Sequence, residues 1–276
     1  MSIVITSTGN PAVKFARSLQ KASVRKKEGL FLVEGIREIR LAMLANYRFH
    51  TLFYCPQIAE RSHILASTGK CEAPGDIADA MTGQCTIIET VPDVFEKLAY
   101  RENSGGLLAI ALQKKQGLND IKLSENPLVL VAESVEKPGN LGALLRTADA
   151  AGVDAVLVCD AGTDIYNPNT VRSSLGTLFT LPVVGCSSDE AVEWLKESSI
   201  KIFTTALSAS RPYYQADFRG PAAIVAGAEA TGVSAVWEDN SDSNIIIPMF
   251  GIVDSINVSA ATSIVLYEVL RQRGFE

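Results

Sequence analysis

The chain has 276 residues, a net charge of −6, five cysteines and two histidines. That length can bury one large core or two smaller ones, and nothing in the composition suggests disorder, collagen or a disulfide scaffold. No apolar run approaches the roughly 18 residues of a membrane span, and the N-terminus lacks the parts of a signal peptide, so a soluble cytoplasmic protein without a membrane partner is expected.

The charge is unevenly spread. Residues 1–50 hold nine Lys/Arg and three acidic residues. Such asymmetry suggests a segment facing a polyanion; composition alone is equally served by a solvated helix face. The cysteines are odd in number and lack C-x-x-C spacing, and only His50 and His63 accompany them. The thiols therefore read as reduced, and no metal site is expected.

In chain order, "PAVKFARSLQKASVRKK" predicts one helix with Val13, Ala16 and Leu19 on one face and cations on the other. "GLFLVEG" reads as a strand, "IREIRLAML" as a helix, and "FHTLFYC" and "CTIIET" as strands. "PDVFEKLAY" then reads as a helix and "GLLAIAL" as a strand. Residues 1–112 thus predict a small α/β domain, and the polar stretch 113–126 a linker. From 127 to 276 the alternation is clearer. "PLVLVAES", "VDAVLVCD", "KIFTTAL", "AAIVAGAE" and "NIIIPM" are apolar strands separated by helical patterns, and the chain ends in a helix over 257–272. Strands apolar on both faces imply a mostly parallel sheet with helices on both sides, whose ligands bind beyond the strands' carboxyl ends. That rule singles out the loops after residues 134, 226 and 247.

In the first loop Pro138 and Gly139 make a turn, Asn140 is a candidate helix cap, and Arg146 lies two i+3 steps further on the same helical face. Taken alone, this is also how a capped helix with a solvated arginine reads. The second loop, "AGAEATGVS", places Gly227 after an apolar strand and Glu229 at the sheet's mouth. Gly227 and Gly232 have phosphate-loop spacing, but Val233 stands where a lysine is required, and no dinucleotide fingerprint is present. In the third loop, "IPMFGIVDSINVSAA", Ser255 or Asn257 can cap the last helix. One cap needs one such residue; the surplus of polar groups suits a backbone that grips a flat heterocycle, with Ile247, Met249 and Ile256 packing on its faces.

Together, "NLGALLRTADAAG", "AAIVAGAEATGVS" and "IPMFGIVDSINVSAA" resemble the three signature motifs of the SpoU family of the SPOUT superfamily, S-adenosylmethionine-dependent RNA 2′-O-ribose methyltransferases. "VRSSLGTLFTLPV" resembles the family's segment between the first two motifs, and residues 1–112, through "NPAVKFARSL" and "LFLVEG", resemble its N-terminal RNA-binding domain. The resemblance implies an α/β sheet with a C-terminal trefoil knot, a homodimer, and methyl transfer to a ribose 2′-OH of structured RNA, most readily 23S-type rRNA. The alternatives are a tRNA methyltransferase or a catalytically silent RNA-binding protein on the same fold. It implies cofactor contacts at Gly227, Ile247 and Ile256, to which the apolar packing expected of the third loop adds Met249. Arg146 is implied to bind the target phosphate and stabilise the 2′-oxyanion, with Asn140, Glu229, Ser255 and Asn257 as further catalytic-site groups. Lys14, Arg17, Lys21, Arg25, Lys26 and Lys27 would then contact RNA phosphates. A sulfonium is already an activated methyl donor, so the chemistry requires no metal. "EKPGN" departs from the family's more usual Asp-Pro-x-Asn pattern.

Overall fold

The computed structural model describes residues 3–59, 74–81, 83–100, 105–206, 211–228 and 231–275. The chain forms two units: residues 1–114 with 166–179, and residues 115–165 with 180–276.

The first unit runs β1 (Ile3–Ile5), α1 (Pro11–Ser18), α2 (Ala22–Glu28), β2 (Leu30–Glu34), α3 (Ile36–Leu44), β3 (Phe49–Tyr54), α4 (Pro74–Ala80), β4 (Thr86–Thr90), α5 (Pro92–Leu98) and β5 (Leu107–Leu112). Its sheet order is β1-β4-β3-β5-β2, parallel from β1 to β3 and antiparallel from β3 to β2. The single helix predicted over residues 11–27 is two helices. Arg25 sits at the break: it is 1% exposed and its Nη1 donates to Leu19 O and Gln20 O, both at 2.8 Å. Those carbonyls are among the groups that the end of α1 leaves without intrahelical donors. One cation of the predicted basic face is thus folded inward.

A second departure from the predicted organisation lies in residues 166–179, which belong to the first unit although they follow two strands of the second. They include α7 (Pro168–Ser173) and the start of α8 (Thr177–Thr180). Phe31 packs on Tyr166 at 4.4 Å between ring centroids, Tyr47 meets Phe179 edge-on at 5.1 Å, and the Lys114 N–H donates to the Tyr166 hydroxyl. Burial and the Tyr166 contact push the Tyr47 phenol well above its ordinary range.

The second unit contains β6 (Leu128–Glu133), α6 (Pro138–Ala150), β7 (Ala155–Cys159), β8 (Val183–Cys186), α9 (Ser188–Glu197), β9 (Lys201–Thr205), β10 (Arg211–Pro212), β11 (Ala222–Ala226), α10 (Ala235–Asn240), β12 (Ser243–Ile246) and α11 (Val258–Gln272). Its seven strands lie in the order β10-β12-β9-β11-β6-β7-β8, every neighbouring pair parallel. The predicted parallel sheet follows from strands β6, β7 and β11 being buried along their whole length, which needs cover on both faces. Val129, Val131 and Val225 face a core that includes Leu195 of α9 and Trp237 of α10. α6 and α11 pack together and against β6 and β11. The expected linker is not loose: Leu118, Ile121 and Leu123 pack against the second unit's core. Near the C-terminus Arg273 donates to the carbonyls of Phe218, Asn126, Pro127 and Gly220, tying loops together around the end of α11.

Candidate active site

A cavity of about 510 Å³ opens at the carboxyl ends of β9, β11 and β12. The strand order creates it: β11 lies between β6 and β9, and β12 lies outside β9, so three loops far apart in sequence converge. Its size is that of a small-molecule site.

Gly227, Ile247, Met249, Ser255 and Ile256, all picked out from the sequence, line this cavity. Gly227 has a sharper reason to be glycine than ligand approach alone. A Cβ there would lie 2.3 Å from Gly232 O and 2.6 Å from Val233 N, both backbone atoms. The loop folds back on itself, Ala228 and Gly232 exchanging N–H···O bonds of 2.9 and 3.0 Å, and Gly232 takes φ +70°, where a side chain is strained. Glu229 lies outside the described residues.

Several contributors were missed. Thr205 and Ala206, after β9, line the cavity, as does Glu238 of α10. Glu133, 3% exposed at the end of β6, accepts the Ser234 N–H at 2.9 Å and so anchors the exit of the Gly227 loop. A lone acid closing an otherwise apolar strand was the available signal for Glu133. Glu238 offered none, because its helix is only six residues long.

Asn140 and Asn257 meet. Asn257 Nδ2 donates to Asn140 Oδ1 at 3.3 Å, while Asn257 Oδ1 accepts the Ser259 N–H and caps α11. Of the two predicted caps for the last helix, Asn257 is therefore the one used. Asn140 is not a cap: α6 starts at Pro138, whose fixed φ suits the first helical position, so Asn140 sits inside the first turn and turns its amide to Asn257. Thr147 of α6 lies 3.4 and 3.2 Å from the hydroxyls of Ser259 and Ser263, extending the same polar seam. Arg146 is exposed on α6 and is not among the residues lining the cavity. Lys14, Arg17, Lys21, Lys26 and Lys27 are exposed on α1, α2 and the turn between them; Arg25, expected with them, is buried and committed to backbone carbonyls.

The cavity's chemistry discriminates among ligands. Its described lining includes the carboxylates of Glu238 and Asp254 and no lysine or arginine. Such a site disfavours a polyphosphate and favours a ligand carrying positive charge. Apolar walls from Ile247, Met249 and Ile256 suit a heterocycle beside that charge. Both features fit S-adenosylmethionine, with its adenine, ammonium and sulfonium groups. Among the described residues no group of three or more His, Cys, Asp or Glu could hold a metal ion, and no helix is long and apolar enough to cross a membrane.

A parallel sheet with this cavity at its strands' carboxyl ends and an Asn140–Asn257 contact beside it suits an enzyme that binds a small cofactor. Residues 127–267 match the SpoU rRNA Methylase family, and the chain belongs to that family; residues 10–109 match the MRM3-like substrate binding domain. The chain is 30% identical to the 23S rRNA (guanosine(2553)-2′-O)-methyltransferase RlmP of Bacillus subtilis, over 96% of this chain and 98% of that one. It is 29% identical to a 23S rRNA (uridine(2479)-2′-O)-methyltransferase of Streptomyces viridochromogenes, over 98% and 92%. A solved AdoMet-bound rRNA methyltransferase from Sinorhizobium meliloti superposes with a TM-score of 0.85 at 26% identity, covering 97% of each chain.

Proposed function

We infer that this chain transfers the methyl group of S-adenosylmethionine to a ribose 2′-OH of 23S-type ribosomal RNA, acting as a cytoplasmic homodimer. The observation that carries the reading is the cavity at the ends of β9, β11 and β12, whose described lining holds the carboxylates of Glu238 and Asp254 and no lysine or arginine. The printed activities of the Bacillus and Streptomyces relatives support the substrate class. Because those two relatives differ in the base they name at nearly equal identity, family membership leaves the target base open.

When bound, the cofactor supplies a methyl group already activated by the sulfonium. The chain's task is to hold the 2′-oxygen in line with it, at about 3–3.5 Å. Ile247, Met249 and Ile256 clasp the heterocycle, and Gly227 shapes the backbone around it. Arg146 binds the target phosphate and stabilises the developing 2′-oxyanion, a task for which its fork of donors is suited. Asn140, Ser255 and Asn257 orient the ribose, and Glu229 steadies Arg146 or the loop amides. Lys14, Arg17, Lys21, Lys26 and Lys27 contribute salt-dependent phosphate contacts, and the MRM3-like match over residues 10–109 supports that assignment.

The homodimer reading rests on two features. Arg146 does not line its own chain's cavity, which suits an arginine supplied across a two-fold interface. The third loop also exposes Phe250 at 98% and Ile252 at 106%, and α11 exposes Ile264 and Tyr267; apolar surface of this kind is stabilised by burial against a second copy. The trefoil knot is part of the same family expectation.

The test is calorimetric titration with S-adenosylmethionine, followed by mapping of 2′-O-methyl positions in total RNA from cells with and without the gene. A single lost position in large-subunit rRNA is expected. Loss in tRNA would replace the substrate, and cofactor binding or RNA binding without any lost methyl would favour a silent RNA-binding protein. Mixing Arg146→Ala with Gly227→Ala chains should restore part of the activity if Arg146 acts across the interface; no restoration would put it in its own chain's site.

A further inference from the structure

Cys159 and Cys186 are not among the residues lining the cavity, yet they are placed against each other. They end β7 and β8 and are aligned partners in the parallel register. Neighbouring strands lie about 4.8 Å apart, inside the Cα span that a disulfide tolerates. Their sulfurs are 3.7 Å apart and both are free thiols. Closing that gap to a bond of about 2.05 Å calls for side-chain rotation and a small adjustment of the strand ends.

The two thiols are not equivalent. β8 is the edge strand of the sheet, and Cys186 on it is half-buried, while Cys159 is fully buried one strand further in. The hydrogen bond between the two sulfurs, in which either can donate, lowers the Cys186 thiol and, with burial, raises Cys159 above the usual thiol range; burial and the carboxylates of Glu190 and Asp160 oppose the lowering at Cys186. Cys186 also directly precedes Ser187, the N-cap of α9, where the helix end favours negative charge. Cys55 and Cys85, by contrast, are pushed up by burial.

We propose that Cys186 and Cys159 form a reversible dithiol–disulfide site, with Cys186 as the attacking thiol and Cys159 as the resolving one, and a hydroperoxide as oxidant. The Cys186 thiolate attacks one peroxide oxygen; the O–O bond breaks, hydroxide leaves and Cys186 becomes a sulfenic acid. The Cys159 sulfur then attacks the Cys186 sulfur, the S–S bond forms, and water departs with the Cys159 proton. Two thiols and one hydrogen peroxide thus become one disulfide and two waters, and a small thiol reductant reverses the change by exchange. The same row of the sheet continues through Glu133, the register partner of Cys159, to the Ser234 amide beside the cofactor cavity.

The experiment treats the full-length native protein with hydrogen peroxide, blocks remaining thiols, and maps tryptic peptides without reduction. Arg172 is the one tryptic site between the two cysteines, so a disulfide links two otherwise separate peptides. The expected result is that linked pair, lighter by two hydrogens, with Cys55 and Cys85 still blocked as thiols and full reversal by dithiothreitol. Cys159→Ser should halt at a dimedone-trapped sulfenic acid on Cys186, and Cys186→Ser should leave Cys159 unreacted. Peptides that stay separate after peroxide, or Cys186 carried to sulfinic acid while Cys159 remains a thiol, overturn the proposal. The wild-type map decides alone if a serine variant fails to fold.

Discussion

The candidate cofactor cavity and the α1–α2 surface have opposite electrical characters. The cavity is lined by Glu238 and Asp254 without a described cation, whereas α1, α2 and their turn expose Lys14, Arg17, Lys21, Lys26 and Lys27. A chain of net charge −6 can therefore serve a polyanionic substrate, because residues 1–50 hold nine Lys/Arg against three acidic residues while the described cavity lining holds no lysine or arginine. Net charge alone would have argued against RNA; the distribution reverses that argument.

The largest expected effect tests which region carries the chemistry. Arg146→Ala should lower methyl transfer by about 100- to 1,000-fold, the cost of removing an oxyanion donor, while leaving cofactor affinity within a few-fold. Equal loss of cofactor binding, measured by calorimetry, would make Arg146 part of the cavity after all. Next, Gly227→Ala forces a methyl into the Gly232–Val233 backbone. Overpacking of this kind costs about 1–3 kcal/mol, so cofactor affinity should fall roughly tenfold or more. RNA affinity, read by filter binding, should not change. Unaltered cofactor affinity would mean that the loop does not shape the donor site.

Smaller effects separate the cations from each other. Reversing Lys26 and Lys27 to Glu should flatten the plot of log affinity against log salt by about one to two units. A slope identical to wild type would remove this surface from RNA binding. Arg25→Ala, next door in sequence, should leave that slope alone and instead cost about 1–3 kcal/mol in urea denaturation, since two carbonyls lose a charged donor. A changed slope with unchanged stability would return Arg25 to the RNA-contacting set.

Arg25 also shows where sequence reading stops. A basic residue in an amphipathic pattern looks the same whether it faces water or turns under a helix end; only the orphan carbonyls of Leu19 and Gln20, fixed by the break after Ser18, decide between them. The second and third loops were legible because Gly227 and the polar surplus around Ser255 are local signals, and the carboxyl-end rule located both. Thr205 and Ala206 were not legible, because their place in the cavity comes from β11 inserting between β6 and β9. Residues 166–179 were read with the second domain because their ties to Phe31 and Tyr47 span more than a hundred positions.

Strand β12 has a consequence for the protein's birth. It is the last strand in chain order among the described residues, yet it supplies one wall of the candidate cavity and leads into the segment carrying Ser255 and Asn257. A nascent polypeptide stalled or cleaved before Ser243 carries the whole N-terminal unit and six strands of the parallel sheet, but not the complete candidate cavity. Ligand-assisted stabilisation thus requires the segment from β12 onward, and proteolysis in the presence of S-adenosylmethionine should spare chains that contain it over chains that end before it.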